Sequence, residues 1–240
     1  MIMEEYSFSY RKTYTVPTGT EGTRLLPFLL SCMEQTAKED AIRLGQGTDV
    51  LMARYHSAWM ILRTQLQVLA PIHAGMKFEI FTWSRGVCGA SVLRDFHVFA
   101  DGREVVRATQ LWIVADLTTR RLRNPRSMPE LDTPCPPFAF STTVPRFDLI
   151  PAKTLCAELT VGAEDIDENG HMNNVRYVTH AVPYLPQFPY PCSIQLEYCA
   201  ELLQGQSYQC FSGQEDNAVC LVFRIGEKDH FRMLLQPLDA

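Results

Sequence analysis

The sequence predicts an α+β fold in which one unit, a helix packed on an antiparallel sheet, occurs twice in tandem. Each half of the chain shows the same order of elements: a strand, a helix and then four strands. The spacing after the second strand also matches, because Pro71-x3-Gly75 in the first half corresponds to Glu201-x3-Gly205 in the second. We therefore expect a first repeat over residues 1–124, a linker over 125–151 and a second repeat over 152–240.

The first half begins with strand-like alternation and continues into an amphipathic helix. Aromatic and polar residues alternate from Tyr6 to Val16, which predicts a strand. Apolar residues from Leu26 to Leu44 recur with a helical period, so they predict a helix with Thr23 as its cap and Gly45 at its end. Four strands are predicted next, at residues 58–67, 76–83, 90–100 and 104–115, with a hairpin turn at Asp101-Gly102.

Proline density marks the boundary between the halves. The segment from Pro125 to Pro151 contains seven prolines, both ends included, and proline at this density interrupts both helices and sheet ladders. The pattern then restarts with a strand at 155–161 and a helix at 173–185, which the following prolines would abbreviate. Four strands are predicted after it, at residues 193–201, 206–212, 219–225 and 230–236. Because Pro71 corresponds to Glu201, only the second half carries a carboxylate at this position.

Composition excludes several classes of protein. With 46% hydrophobic residues, the chain can bury a sizeable core, and its net charge of −5 argues against general nucleic-acid binding. It has no apolar run long enough to span a membrane, and its acidic start is unlike a signal peptide, so we expect a cytoplasmic protein. Eight cysteines without CxxC spacing are interpreted as reduced core residues. No phosphate loop, nucleotide fingerprint or metal-ligand cluster is present, so neither a cofactor nor a metal is expected.

The most polar stretch between apolar elements runs from Asp165 to Asn174, directly before the second predicted helix. Its D-x-D-x-N-G pattern matches half of a calcium loop, but Arg176 stands where that loop needs a bidentate glutamate. A turn and helix cap would explain some of its Asp, Asn and Gly residues. It would not explain His171 at the helix entrance beside two asparagines. Asn and His side chains can polarise a carbonyl, so the segment favours a catalytic role.

Three motifs in order resemble the acyl-acyl-carrier-protein (acyl-ACP) thioesterases, the plant plastid enzymes and their bacterial relatives. They are DIDENGHMNNVRYV from Asp165, Leu196-Glu-Tyr198 followed by Glu201, and Trp112-Ile-Val-x4-Thr119-Arg-Arg-Leu-x2-Pro125. The resemblance spans most of the chain and implies a double hotdog fold, with two sheets that each wrap around a long helix. The repeat inferred from the order of elements agrees with it.

The resemblance implies a thiolester hydrolase that converts fatty acyl-ACP to free fatty acid and carrier, ending chain elongation in fatty acid biosynthesis. The family's catalytic residues correspond here to Asp167, Asn169, His171 and Glu201. Glu201 would activate water or attack the carbonyl, with His171 moving or orienting a proton. The plant enzymes have Cys directly after the glutamate, where this chain has Leu202. Cys199 is interpreted as a packing residue.

The resemblance also implies an acyl-chain pocket in the first repeat and acyl carrier protein as the partner. Candidate lining residues are Met33, Trp59, Ile61, Phe78 and Trp83. Arg120, Arg121, Arg123 and Arg126 form a local cluster of positive charge that could dock the acidic carrier, or could pair with carboxylates such as Asp116. A homodimer is possible. The alternatives are a hotdog acyl-CoA thioesterase, a non-catalytic acyl-binding protein and, less compatible with the motifs, a 2-enoyl hydratase.

Overall fold

A computed structural model describes residues 8–131, 144–148 and 150–238. The first half contains β1 (Tyr10–Thr15), α1 (Leu25–Arg43), α2 (Thr48–Tyr55), β2 (Ser57–Val68), β3 (Lys77–Cys88), β4 (Ser91–Ala100), β5 (Arg103–Asp116) and the short β6 (Leu122–Arg123). The second half contains β7 (Thr154–Thr160), α3 (Asn174–Ala181), β8 (Cys192–Tyr198), β9 (Ser207–Glu215), β10 (Ala218–Ile225) and β11 (Lys228–Pro237). Both halves thus contain the predicted order of a strand, a helix and four strands, and the first half has α2 and β6 in addition.

The strands form one continuous antiparallel sheet in the order β1-β3-β4-β5-β2-β8-β11-β10-β9-β7, with β6 beside β5. Read inward from either edge, the two halves have the same strand order. They meet where β2 pairs with β8, and there Arg63 pairs with Glu197 while Gln67 pairs with Ser193. In the repeat, Arg63 corresponds to Ser193 and Gln67 corresponds to Glu197. The two pairs are therefore equivalent, and the register of the junction is the same when the halves are exchanged. The predicted tandem repeat is confirmed, although its two sheets are joined edge to edge into one.

The helix α1 packs on the sheet of the first half because one of its faces is apolar. Leu26, Leu29, Leu30, Met33 and Ala37 are buried in the main core beneath it. The helix follows a 3-10 turn at Gly22–Arg24, and no side chain caps it, so the prediction of Thr23 as its cap is wrong. Its end is as predicted, since Gly45 adopts the left-handed conformation that glycine accommodates without steric cost.

Two features of the first half differ from the predicted elements. The helix α2 was not predicted, because it has only eight residues and buries only Leu51, which leaves no periodic apolar stripe to detect. Strand β3 continues past the predicted end at residue 83 to Cys88, through an irregularity in pairing between Ser84 and Val87. The predicted hairpin turn is present, with positive φ at both Asp101 and Gly102.

The second half also differs at the two places nearest to the candidate catalytic residues. The helix α3 spans eight residues and gives way at Val182–Tyr184 to a 3-10 turn, so it is shorter than α1, as the prolines predicted. Strand β8 ends at Tyr198 and not at Glu201. The chain turns there because the N–H groups of Cys199 and Ala200 both donate to the carbonyl of His230. Glu201 therefore lies in a loop.

Part of the proline-rich segment packs against the fold. Two 3-10 turns, Pro125–Ser127 and Pro129–Leu131, place Met128 and Leu131 in a cluster with Leu51 of α2. The predicted linker residues at 132–143 and 149 lie outside the described residues. Among the residues that are described, no helix is both long and apolar enough to cross a membrane.

Candidate active site

The loop between β7 and α3 is organised by the side chain of Asp167. Its Oδ1 accepts hydrogen bonds from the backbone N–H of Asn169 at 2.8 Å and of His171 at 3.2 Å. Its own backbone N–H donates to the carbonyl of His171 at 2.8 Å, while the Asn169 amide reaches Asp167 Oδ2 at 3.5 Å. Such a self-bonded Asp loop fixes the backbone before the helix begins. The loop holds the imidazole of His171 at the entrance to α3.

His171 and Glu201 meet across two loops. His171 Nε2 lies 3.3 Å from Glu201 Oε2, and the side chains of the two residues are 13% and 33% exposed. The loops are joined by the backbone, since the N–H of Met172 donates to the carbonyl of Leu202 at 2.9 Å. The structure therefore brings an imidazole and a carboxylate within reach of one proton, at a site open to solvent.

Two buried residues that the sequence did not mark as functional hold the backbone at Glu201 and at the residue after it. His230 Nδ1 donates to the carbonyl of Glu201 at 2.9 Å, and the N–H of Leu202 donates to the Tyr177 hydroxyl at 2.9 Å. Burial lowers the pKa of His230, so its ring is neutral at pH 7. Burial also holds the Tyr177 hydroxyl protonated, with its pKa raised far above the usual range. No sequence pattern near His230 indicated this anchoring role.

A residue of the first repeat completes the site. Arg120, in the turn between β5 and β6, places Nη1 3.0 Å from His171 Nε2 and 3.3 Å from Glu201 Oε1. Arg123 instead pairs with Asp116, while Arg121 and Arg126 are exposed. The four arginines predicted as one docking cluster thus divide into one at the active site, one in an ion pair and two on the surface.

Two cavities adjoin these residues, each of about 280 Å³. The reaction cavity is lined by His171, Glu201, Arg120 and Ile61, among others. The helix–sheet cavity lies between α1 and the first-half sheet, where Ala37, Ala41, Trp112 and Arg94 form part of its wall. Both cavities are lined by Trp59, Asp167, Asn169 and Asn174, so they share one wall at the loop between β7 and α3.

A half-buried carboxyl on α1 also lines the helix–sheet cavity. Glu34 lines the helix–sheet cavity, and its Oε1 accepts from the Asn173 amide at 3.4 Å. Burial raises the pKa of the Glu34 carboxyl above its usual value, and the nearby Asp167 charge adds to the effect. The helix pattern of α1 gave no indication of this contact, because it joins residues far apart in the chain.

The five residues predicted to line the acyl pocket are dispersed. Trp59 lines both cavities and Ile61 lines the reaction cavity. Phe78 lines a separate small cavity of about 20 Å³. Met33 is fully buried in the main core, and Trp83 packs beside Phe81 in another cluster. Trp83 faces away from α1 because side chains alternate along β3, where Ser84 is the neighbour that lines the helix–sheet cavity.

Two alternative chemistries have little structural support. Desolvation raises the pKa of the Cys199 thiol to about 11, so the thiol is protonated at pH 7 and is a poor nucleophile. Cys199 is nevertheless an exposed residue, so the interpretation of it as a packing residue is wrong. Asp165, first residue of the calcium-like pattern, instead accepts from Arg176 at 2.7 Å and from the N–H of Gly162 at 2.9 Å. These bonds occupy the carboxylate that a cation would need.

Comparisons with known sequences identify the family. The acyl-ACP thioesterase N-terminal domain matches residues 7–128, and the acyl-ACP thioesterase C-terminal domain matches residues 151–229. Together these matches cover well over half of the chain. The chain belongs to the acyl-ACP thioesterase family. The two matched regions of this family correspond to the two halves of the sheet.

The sequence identity between this acyl-ACP thioesterase family member and individual relatives is low. It is similar to oleoyl-acyl carrier protein thioesterase 2 of Arabidopsis thaliana, with 25% identity over 78% of this chain and 56% of that protein. It is also similar to a palmitoyl-acyl carrier protein thioesterase of Gossypium hirsutum, with 26% identity over 67% of this chain and 42% of that protein. The chain spans about half the length of these curated relatives.

Solved structures show the same architecture. An acyl-ACP thioesterase from Bacteroides thetaiotaomicron superimposes with a TM-score of 0.78 at 20% identity, covering 97% of this chain and 98% of that one. A 12:0-ACP thioesterase from Umbellularia californica gives 0.78 at 19% identity, covering 95% and 96%. The expected double hotdog fold of the acyl-ACP thioesterases is thereby confirmed.

Proposed function

We propose that this protein hydrolyses the thioester of fatty acyl-ACP to free fatty acid and carrier, ending fatty acid chain elongation. The observation that supports this best is the contact of His171 with Glu201, 3.3 Å apart, beside a wall shared by two cavities. One cavity can take the reacting group and the other its acyl chain. Family membership points to the same reaction.

Glu201 and His171 provide the proton transfers of hydrolysis. In the general-base form, Glu201 accepts a proton from water as the water oxygen bonds to the carbonyl carbon. The carbon–sulfur bond then breaks, the thiolate leaves, and a proton from His171 or protonated Glu201 converts it to a thiol. In the nucleophilic form, Glu201 bonds to the carbonyl carbon first, the carbon–sulfur bond breaks with release of the thiolate, and water hydrolyses the resulting anhydride. After a single turnover in ¹⁸O-water, ¹⁸O in the Glu201 carboxylate would establish direct attack, because water that attacks the glutamyl carbon of the anhydride leaves its oxygen there and the general-base form never does.

Asn169 and Asp167 are proposed to support the reacting groups. Asn169 lines both cavities, so its amide could donate to the thioester oxygen or to the attacking water. Asp167 would act through the loop, since its carboxylate accepts from the N–H groups of Asn169 and His171. Asn169 would therefore contact the substrate, whereas Asp167 would position Asn169 and His171.

The acyl chain is proposed to occupy the helix–sheet cavity of the first repeat. Trp59 stands at the shared wall, with its indole N–H donating to the carbonyl of Gln46 at 2.8 Å and its ring edge-on to Trp112. The two rings offer apolar surface directly beside the catalytic loop. A thioester at Asn169 could therefore extend its chain past Trp59 towards α1.

The carrier is proposed to dock on the exposed segment that runs from Arg121, before β6, to Arg126, in the 3-10 turn after it. Both are exposed, and Leu122 between them is 59% exposed, so charge and apolar contact are offered together. Reversing the charge with Arg126→Glu should raise the KM for a carrier thioester and leave that for a short acyl-CoA unchanged. An equal effect on both substrates would remove the docking role.

The function is tested with a panel of acyl-ACP thioesters of differing chain length, measuring free fatty acid and free thiol together. Glu201→Gln and His171→Asn should each lower kcat by about 100-fold or more. The matched control is Glu215→Gln, which neutralises an exposed carboxylate at the end of β9. Near-normal rates in both site variants would contradict the assignment. Faster turnover of acyl-CoA would favour the acyl-CoA thioesterase alternative, and tight acyl binding without hydrolysis would favour a binding protein.

A further inference from the structure

Arg120 contacts both members of the His171–Glu201 pair, at distances no longer than the one between them. Its Nη1 lies 3.0 Å from His171 Nε2 and 3.3 Å from Glu201 Oε1, although its side chain is 56% exposed. It comes from the first repeat, whereas both of its partners come from the second. A guanidinium has only donors, so in this arrangement Nε2 of His171 is an acceptor.

The turn that carries Arg120 is built to hold it. Asp116 Oδ1 accepts from the N–H of Thr118 at 3.0 Å and of Thr119 at 2.7 Å, while Oδ2 accepts from Arg123. The Thr119 N–H and Arg123 together hold the pKa of Asp116 far below its usual range, so the carboxylate stays charged.

The backbone of Arg120 itself is also constrained. Its N–H donates to the carbonyl of Asp116 at 2.9 Å, and its φ is +57°, in the left-handed region that non-glycine residues seldom adopt. Strained backbone of this kind persists only where surrounding contacts enforce it, and it is common at functional sites.

We propose that Arg120 is a positioning residue for the His171–Glu201 pair, and not one of the residues that dock the carrier. By donating to Nε2, it fixes the ring proton of His171 on Nδ1. By contacting Oε1 as well, it holds the Glu201 carboxylate beside Nε2. This inference rests on the proposed hydrolase function. It means that the site needs a residue of the first repeat in addition to the catalytic groups of the second repeat.

Kinetics with matched variants test the proposal. Arg120→Asn removes the guanidinium while keeping a residue that tolerates positive φ, and Arg103→Asn makes the same charge change at an exposed position at the opposite end of β5. We expect Arg120→Asn to lower kcat by about 10- to 100-fold on both a carrier thioester and an acyl-pantetheine, with its pH dependence altered. Arg120→Lys should recover part of this loss, and Arg103→Asn should keep the original kcat. An unchanged kcat in Arg120→Asn, or a rise confined to the KM for the carrier thioester, would overturn it.

A second measurement does not depend on turnover. ¹⁵N NMR of the histidine side chains, with His171 assigned by its loss in His171→Gln, should show the Nδ1–H tautomer in the original protein and a change in Arg120→Asn. An Nε2–H tautomer in the original protein would contradict the inference even if Arg120→Asn failed to fold. If the original protein hydrolyses no thioester while the tautomer is as expected, the proposed function fails and the positioning contact stands.

Discussion

Glu201 occupies in the second repeat the position that Pro71 occupies in the first. Each residue lies four positions before a glycine with a φ of +80°, Gly205 or Gly75. The N–H of Gly205 donates to the carbonyl of Val161 at 2.9 Å, and that of Gly75 donates to the carbonyl of Val16 at 2.9 Å. One turn geometry is therefore used twice, and only one copy presents a carboxylate.

This equivalence explains how the two repeats divide their contributions. Proline cannot transfer a proton, so the first repeat lacks the group that Glu201 supplies at the turn. The first repeat instead provides α1, the wall of the helix–sheet cavity and Arg120. A single composite site results from two copies of one unit, with its parts taken from both.

Asp167 is expected to affect activity through the loop that it organises. Asp167→Ala removes the acceptor for the N–H groups of Asn169 and His171, so the imidazole loses its fixed position. We expect kcat to fall by about 100-fold, with a smaller loss in Asp167→Asn, which keeps an acceptor oxygen. Steady-state kinetics on one acyl-ACP substrate measures both. Equal losses in the two variants would show that the charge matters and the loop hydrogen bonds do not.

His230 is expected to act through the backbone of Glu201. His230→Leu removes the Nδ1 donor to the Glu201 carbonyl, whereas His230→Asn places an amide donor at a similar position. We expect His230→Leu to lower kcat by about 10-fold and His230→Asn to retain most of it. Because burial lowers the pKa of His230, its contribution to stability is present above the unfolded value of 6.5 and is lost as pH falls through the folded value. Urea unfolding between pH 5 and 8 should show that loss in the original protein and not in His230→Asn.

The buried ion pair between Arg94 and Asp40 is expected to be costly to break from one side. Arg94 Nη1 lies 2.7 Å from Asp40 Oδ2, and Asp40 is completely buried. Arg94→Met should lower the free energy of unfolding by about 3 kcal/mol, and the double variant with Asp40→Leu should recover most of it. Arg43, the half-exposed second partner of Asp40, is the control, since Arg43→Met should cost less than about 1 kcal/mol. Chemical denaturation measures all three, and additive losses in the double variant would contradict the pairing argument.

Asp95 is expected to make the fold less stable at neutral pH than at pH 4. Burial raises the pKa of this carboxyl to about 6, although Thr109 donates a hydrogen bond to it. A raised folded-state pKa means that its contribution is fully present below the unfolded value near 3.8 and is lost as pH rises through 6. Asp95→Asn should therefore raise the free energy of unfolding by about 1–3 kcal/mol at pH 7.5, with little change at pH 4. Asp216→Asn, in an exposed turn, is the control and should change neither value.

Local patterns predicted the fold well because its elements carry their signals locally. The period of α1, the alternation along the strands and the Asp101-Gly102 turn each depend on residues close together in the chain. The errors have equally local causes. The apolar residues of α2 are too few for a period, and β8 ends early because a carbonyl from β11, that of His230, draws the chain away after Tyr198.

The sequence predicted several residues of the candidate site, but it did not predict the contacts that Arg120 and His230 make there. The loop from Asp167 to His171 stands out in the sequence as a polar stretch between apolar elements, and Glu201 was indicated by its correspondence with Pro71 and by the resemblance to the acyl-ACP thioesterases. In the sequence, Arg120 is one of a cluster of basic residues, and His230 is an ordinary residue of a predicted strand. Arg120 contacts a residue 51 positions away in the chain, and His230 contacts one 29 positions away. No short sequence pattern reports contacts over such separations.

The order of residues by itself predicted the tandem unit, the family and the candidate reactive groups, since periodicity, turn chemistry and motifs depend on residues along the chain. Only the folded protein decided which of four neighbouring arginines reaches the candidate active site and which faces of the strands line a cavity. The physical reason is that pairing β2 with β8 brings both units onto one sheet. Distances between side chains from different units are set by that junction and by the turns around it.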